Sequence, residues 1–100
     1  MRSADVALPA RVDVTTSSDV RYALHIAIDA ATGPDVLVDA AATETVDVAG
    51  LGVLVGAHRR AKQAGRRLVL CDVQPRIVRL FAVTWLHRVL VLDRTSARTG

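Results

Sequence analysis

The side chains able to do chemistry in this chain gather around one turn, Asp47-Val48-Ala49-Gly50-Leu51-Gly52. The Asp47 carboxylate stands where it can accept from backbone N–H groups two or three residues on. A short apolar strand precedes the turn and a basic amphipathic helix leaves it. Unpaired N–H groups and the positive end of a helix dipole therefore come to the surface there. Gly50 and Gly52 have no Cβ, so another backbone can approach the first turn closely. The chemistry this arrangement supports is recognition.

The remaining reactive groups do not assemble into a catalytic set. His25, His58 and His87 fall on three separate elements with no metal-ligand spacing, so no metal site is expected. Asp39 and Asp47 can approach each other at one end of a sheet, but a strand end and a helix cap account for both. A carboxylate pair does acid–base work only when its environment splits the two pKa values. Cys71 sits in an apolar strand with nothing beside it to activate a thiolate. There is no phosphate-cradling Gly-x-x-x-x-Gly-Lys-Ser/Thr loop and no Gly-x-Ser-x-Gly elbow. No catalytic residue and no cofactor are expected.

Alternating strands and helices must position the turn. Val6-Ala7-Leu8 and Arg11-Val12-Asp13-Val14 read as one interrupted strand, with Pro9 marking a bulge or an edge. Thr15-Thr16-Ser17-Ser18 is a run of cap-type residues, so a helix begins near Ser18 or Asp19. Val20, Leu24, Ala27, Ile28 and Ala31 form its buried face, and His25 can pair with Asp29 on its surface. Gly33 suits its C-terminal cap, and Pro34 cannot continue it. Val36 to Ala40 reads as a central, doubly buried strand, parallel to its neighbours.

The second helix runs from Val48 or Ala49 to Ala64, with Leu51, Leu54, Val55 and Ala61 inward. Gly52 and Gly56, four apart, bring it close to the sheet. Arg59, Arg60, Lys62 and Gln63 form its wet face, and Gly65 ends it. Leu68 to Val73 is a further strand, and Gln74-Pro75 opens a third helix with proline in its first turn. Ile77, Val78, Leu80, Phe81 and Val83-Thr84 supply the packing of that helix. Trp85 and Leu86 plug the core from the next loop, and Val89 to Leu92 is the last strand.

Composition sets the outer bounds. Apolar residues are 51% of the chain and aromatics only 3%, so the core is built of Val, Leu, Ile and Ala. No stretch approaches the roughly 18 apolar residues of a membrane span, and Met1-Arg2-Ser3-Ala4-Asp5 lacks a signal-type apolar run. A single cysteine excludes an internal disulfide and suits a reducing cytosol. A cytoplasmic protein without direct membrane insertion is expected. The Ala/Val/Arg-rich, Lys-poor usage suits a GC-rich bacterial genome.

Charge is split along the chain. Residues 1–57 carry eight acids against three bases, and residues 58–100 two acids against ten bases, so the net +3 hides net −5 and net +8. The bases read as solvated helix faces and helix C-termini, where the dipole favours them. Without stacking aromatics or a recognisable motif, no nucleic-acid partner is expected.

The ordered series Asp47 to Gly52, then Ala57-His58-Arg59-Arg60-Ala61-Lys62-Gln63-Ala64-Gly65-Arg66-Arg67-Leu68-Val69-Leu70, resembles the STAS domain. That domain occurs in anti-sigma factor antagonists and sulphate-transporter tails. The family pattern is roughly Asp-Ser-Ser-Gly-Leu-Gly, a helix ending in Ala-Gly, then a strand. The likeness continues through Val73 to Leu80 and Trp85 to Leu90, and covers about residues 11–93. It implies an α/β fold: a mixed, mostly parallel β-sheet of about four strands packed with three main helices. A single domain over residues 1–93 and a flexible tail over 94–100 follow. The family usually has one more strand at the start, for which this chain leaves no room. The shortened N-terminus leaves a sheet edge that could pair with another chain, so self-association stays open.

The departure from the family pattern is at its switch. The resemblance implies that the serine before Gly-Leu-Gly takes a phosphate from an anti-sigma kinase, and here that position is Ala49. The preceding serine position is Val48. Neither has a hydroxyl, so the charge of about −1.5 to −2 that a phosphate adds cannot be placed there. Thr43 and Thr45 are the nearest hydroxyls and read as ordinary loop residues. The implied function is a non-enzymatic regulatory module that binds a serine-kinase anti-sigma factor and releases a sigma factor. Asp47, Val48, Ala49, Gly50, Leu51 and Gly52 would form its partner-binding surface. Two alternatives stay open: a cytosolic accessory subunit of a lipid-transport ABC permease, whose segment reads Asp-Thr-Ala-Gly-Leu, or a degenerate STAS domain used for dimerisation or scaffolding.

Overall fold

The computed structural model describes residues 3–93. In chain order the elements are β1 (Val6–Ala7), β2 (Arg11–Val12), α1 (Ser17–Ala30), β3 (Asp35–Asp39), β4 (Thr45–Val46), α2 (Val48–Gln63), β5 (Arg67–Cys71) and α3 (Pro75–Val83). A single 3-10 turn (Leu86–Arg88) and β6 (Val91–Asp93) follow. The expected residues 94–100 tail lies outside the described residues.

Four strands form the main sheet in the order β1-β3-β5-β6, with every pairing parallel. Such a one-directional order with right-handed crossovers puts all the connecting helices on one face. Side-chain alternation agrees with that. Val36 and Val38 of β3 and Leu68 and Leu70 of β5 share one core with Val20, Leu24 and Ile28 of α1, Leu54 of α2 and Phe81 of α3. On the opposite face Val69 and Cys71 meet Ala4, Leu37 and Val91. Burial pushes the Cys71 thiol up, consistent with an inert core residue.

The expected interrupted strand is two strands in two sheets. β1 lies beside β3, whereas β2 leaves after Pro9 and pairs with β4 in a separate parallel ribbon. Pro9 has no N–H to give a ladder, so the chain changes sheet there. The step is fastened by the Thr43 hydroxyl, which donates to Pro9 O at 2.9 Å, and by Glu44 N–H, which donates to Ala10 O at 2.8 Å. This ribbon carries the chain into the start of α2.

Gly33 is not the cap of α1: extended Ala31 is, two residues earlier, and Gly33 has no left-handed φ. Gly65, with φ of 73°, provides the left-handed residue that terminates α2. On the surface of α1, Asp29 pairs not with His25 but with Arg60 of α2, at 2.9 Å. The Arg60 hydrogen bond lowers the Asp29 pKa, and burial lowers that of His25.

Two packing expectations are reversed. Gly52 and Gly56 are exposed, and a Cβ on either would meet nothing within 4 Å. They do not bring α2 to the sheet; its inward stripe is Gly50, Val53, Leu54, Ala57 and Ala61, with Leu51 and Val55 half-buried. A helix of this length gains when an unobstructed glycine becomes alanine. Gly52→Ala and Gly56→Ala should each stabilise the protein by about 0.5–1 kcal/mol, read as a rise in the thermal midpoint.

The second reversal concerns α3. Only Ile77 and Phe81 are buried, and Leu80 is half-buried. Val78 and Val83 face solvent, and Trp85 is exposed rather than a core plug. The nine-residue helix has room for one buried stripe, and Leu86 and Leu90 close the core in place of the tryptophan.

Candidate functional site

Asp47 joins two loops at the end of the sheet where β3 finishes. It is the N-cap of α2: its Oδ1 accepts from Gly50 N–H at 2.9 Å. Its Oδ2 accepts from Val14 N–H at 3.1 Å, and its own N–H donates to Val12 O at 3.2 Å. One carboxylate therefore caps the helix and fastens the chain leaving β2. Replacing both bonds with nothing, as in Asp47→Ala, should cost about 1–3 kcal/mol. Asp47→Asn keeps one oxygen acceptor and should lose less, which thermal unfolding of the two variants would show.

The loop fastened by Asp47 is itself held by hydrogen bonds. Asp13 Oδ1 accepts from Thr15 N–H at 2.9 Å and from the Thr15 hydroxyl at 2.6 Å. The hydroxyl bond is the main reason the Asp13 pKa is lowered. Thr16 adds a hydroxyl donated to Arg11 O at 2.9 Å. Between these polar residues Val14 is turned outward.

Gly50 is buried because β2 lies directly on it. A Cβ built there would stand 2.0 Å from Val12 O and 2.8 Å from Val12 C. The close backbone approach expected at Gly50 is real, but the backbone is the chain's own. It is not open to a partner.

The six expected site residues thus divide. Val48 is 84% exposed, Asp47 and Gly52 are exposed and Ala49 is half-buried, so these four reach the surface. Leu51 packs against the core and Gly50 lies under β2, so these two position the turn. Val14, 70% exposed, joins Val48 through the Asp47 bond. Sequence reasoning missed it; the available signal was an apolar β-branched residue held between the turn-forming Asp13 and Thr15. From Gly52 the surface continues into an open groove between α1 and α2, lined by Arg21, His25, Gly56, Arg59 and Arg60.

Thr43 is 2% exposed with its hydroxyl on Pro9 O, while Thr45 is exposed within β4. Asp39 Oδ1 accepts from Ala41 N–H at 2.9 Å, as a strand-end residue should. Among the described residues no group of three or more His, Cys, Asp or Glu could hold a metal. Among them, too, no helix is long and apolar enough to cross a membrane.

Comparison with known proteins shows the family. The family model described as STAS domain matches residues 4–98. The anti-sigma-B factor antagonist of Listeria monocytogenes is 30% identical over 92% of this chain and 80% of its own length. An anti-sigma-factor antagonist (STAS) domain protein from Planctomyces limnophilus superposes with a TM-score of 0.70 at 25% identity, covering 91% of this chain and 82% of that one. The Bacillus cell fate determinant SpoIIAA in its phosphorylated form has the same fold, with a TM-score of 0.63 at 16% identity over 94% and 87% of the two chains.

Proposed function

The chain belongs to the STAS domain family, among the anti-sigma factor antagonists, and from that premise we propose that it is a non-enzymatic module that binds an anti-sigma factor of the serine-kinase type. Docking uses the start of α2. Val48 and Val14 supply exposed apolar contact, Ala49 and Gly52 keep the surface low, and Asp47 holds both loops in place. Apolar side chains on a rigid turn lose little freedom on binding, which is where affinity is gained.

The observation that carries this reading is the pairing of an exposed Val48 with a doubly bonded Asp47 just before the family's switch position at Ala49. Ala49 has no oxygen to phosphorylate, so the module stays in the binding form. Thr43 is no substitute, because its hydroxyl is buried. The test is affinity capture from host lysate with wild type beside Val48→Asp, which charges the surface without touching the core. A serine-kinase anti-sigma factor held by wild type and lost by the variant supports the reading. A transporter ATPase in its place would move the chain to the accessory-subunit role, and recovery of the protein alone would favour scaffolding.

A further inference from the structure

The outer surface of α3 and the turn after it does not resemble an ordinary solvated helix face. The exposed residues of α3 are Pro75, Arg76, Val78, Arg79, Ala82 and Val83, none with a neutral hydrogen-bonding side chain, and Thr84 just after them is exposed too. The one hydroxyl nearby, on Thr84, is turned back to Leu80 O at 2.8 Å. Val83 is 77% exposed and Trp85 64% exposed. Arg88 stacks over the Trp85 ring, 4.8 Å from its centroid, and Val89 is also exposed. Between Asp72 and Asp93 the chain holds three arginines and no acid.

We propose that this face rests on an anionic lipid surface. Arginines that keep their charge in the headgroup layer while their stems lie along apolar surface suit such a contact. Tryptophan favours the same depth, since its ring is apolar and its N–H stays wet. An acidic protein partner would meet the arginines equally well, but a helix face whose exposed residues are only arginines and apolar groups matches a bilayer better. The contact is adsorption to the headgroup layer, not a membrane span.

Topology separates the Trp85 end of this surface from the Asp47 site. The strands are parallel, so α2 starts at the C-terminal end of β3, whereas α3 runs back and delivers Trp85 to the N-terminal end of β6. Trp85 and the Asp47 turn therefore lie at opposite ends of the sheet, while Arg76, at the start of α3, lies at the same end as Asp47.

Trp85 is the only tryptophan, so its emission reports on this face alone. The full chain is titrated with vesicles of phosphatidylglycerol and phosphatidylcholine, and with phosphatidylcholine alone. The expected result is a blue shift and salt-sensitive partitioning on the anionic vesicles only. The double variant Arg76→Glu with Arg79→Glu should weaken partitioning by at least about 10-fold, with its circular dichroism unchanged. Val83→Asp should weaken it as well. Absence of partitioning at low salt, equal partitioning by the charge-reversed variant, or an emission shift produced only by an acidic protein would each overturn the proposal.

Discussion

Gly50→Ala should lower the thermal midpoint by roughly 5–25 °C, the largest effect of any methyl-sized change in the site. The added Cβ would stand 2.0 Å from Val12 O, and that oxygen is not a loose side-chain end. It accepts from Asp47 N–H at 3.2 Å and belongs to β2, which is paired with β4. Relieving the clash means separating β2 from α2 and stretching the bonds that Asp47 makes. Overpacking of that kind costs about 1–3 kcal/mol or more, and about 1 kcal/mol moves the midpoint of a domain this size by roughly 4–8 °C. Gly52→Ala, two residues on, is the control. Its site is open and its effect should have the opposite sign. A Gly50→Ala variant with an unchanged midpoint would show that β2 does not press on the helix.

Ala49→Asp should leave stability nearly unchanged while weakening anti-sigma factor binding by about 100-fold. The new carboxylate stands in the first turn of α2, where the dipole favours negative charge by about 0.3–1 kcal/mol. Folding therefore loses nothing. At a docking surface built from Val48, Val14 and Ala49, however, the same charge must be stripped of water without a partner. A penalty of about 2.8 kcal/mol, equivalent to 100-fold, is modest for an unpaired interfacial charge. Thermal unfolding and titration of the partner separate the two effects. Equal loss of stability and binding would mean that Ala49 is a packing residue. Ala49→Ser should restore a phosphoacceptor and leave binding in its unmodified form close to that of wild type.

The frame of the fold was legible because each element carries its own local signals. Pro75 at the start of α3 and Gly65 after α2 each act within a few residues, whereas the strand expected to be doubly buried buries Val36 and Val38 more deeply than Leu37. The role of Asp47 as a cap was legible for the same reason, since Gly50 N–H lies three residues away. Its second bond, to Val14, spans 33 residues and could not be read from local pattern. The glycines show the same limit. Spacing alone made Gly52 and Gly56 look like packing residues, but which face of α2 met β2 depended on where the chain went after Pro9. Trp85 was misplaced because size and apolarity suggest burial, whereas the short α3 had already filled its share of the core with Phe81 and Ile77. Asp29 chose Arg60 over His25 because the packing of α1 on α2 presented a permanent cation to it.

The central claim is that the α2 start binds an anti-sigma factor and cannot be released by phosphorylation there. Its most direct measurement is calorimetric titration of the host's serine-kinase anti-sigma factor with wild type and with Ala49→Ser, each before and after incubation with ATP. Intact mass is recorded on the same samples. The account predicts that wild type binds equally well before and after and gains no phosphate. Ala49→Ser should gain one phosphate and lose its affinity. A wild type that fails to bind, or that gains a phosphate and dissociates, would contradict it.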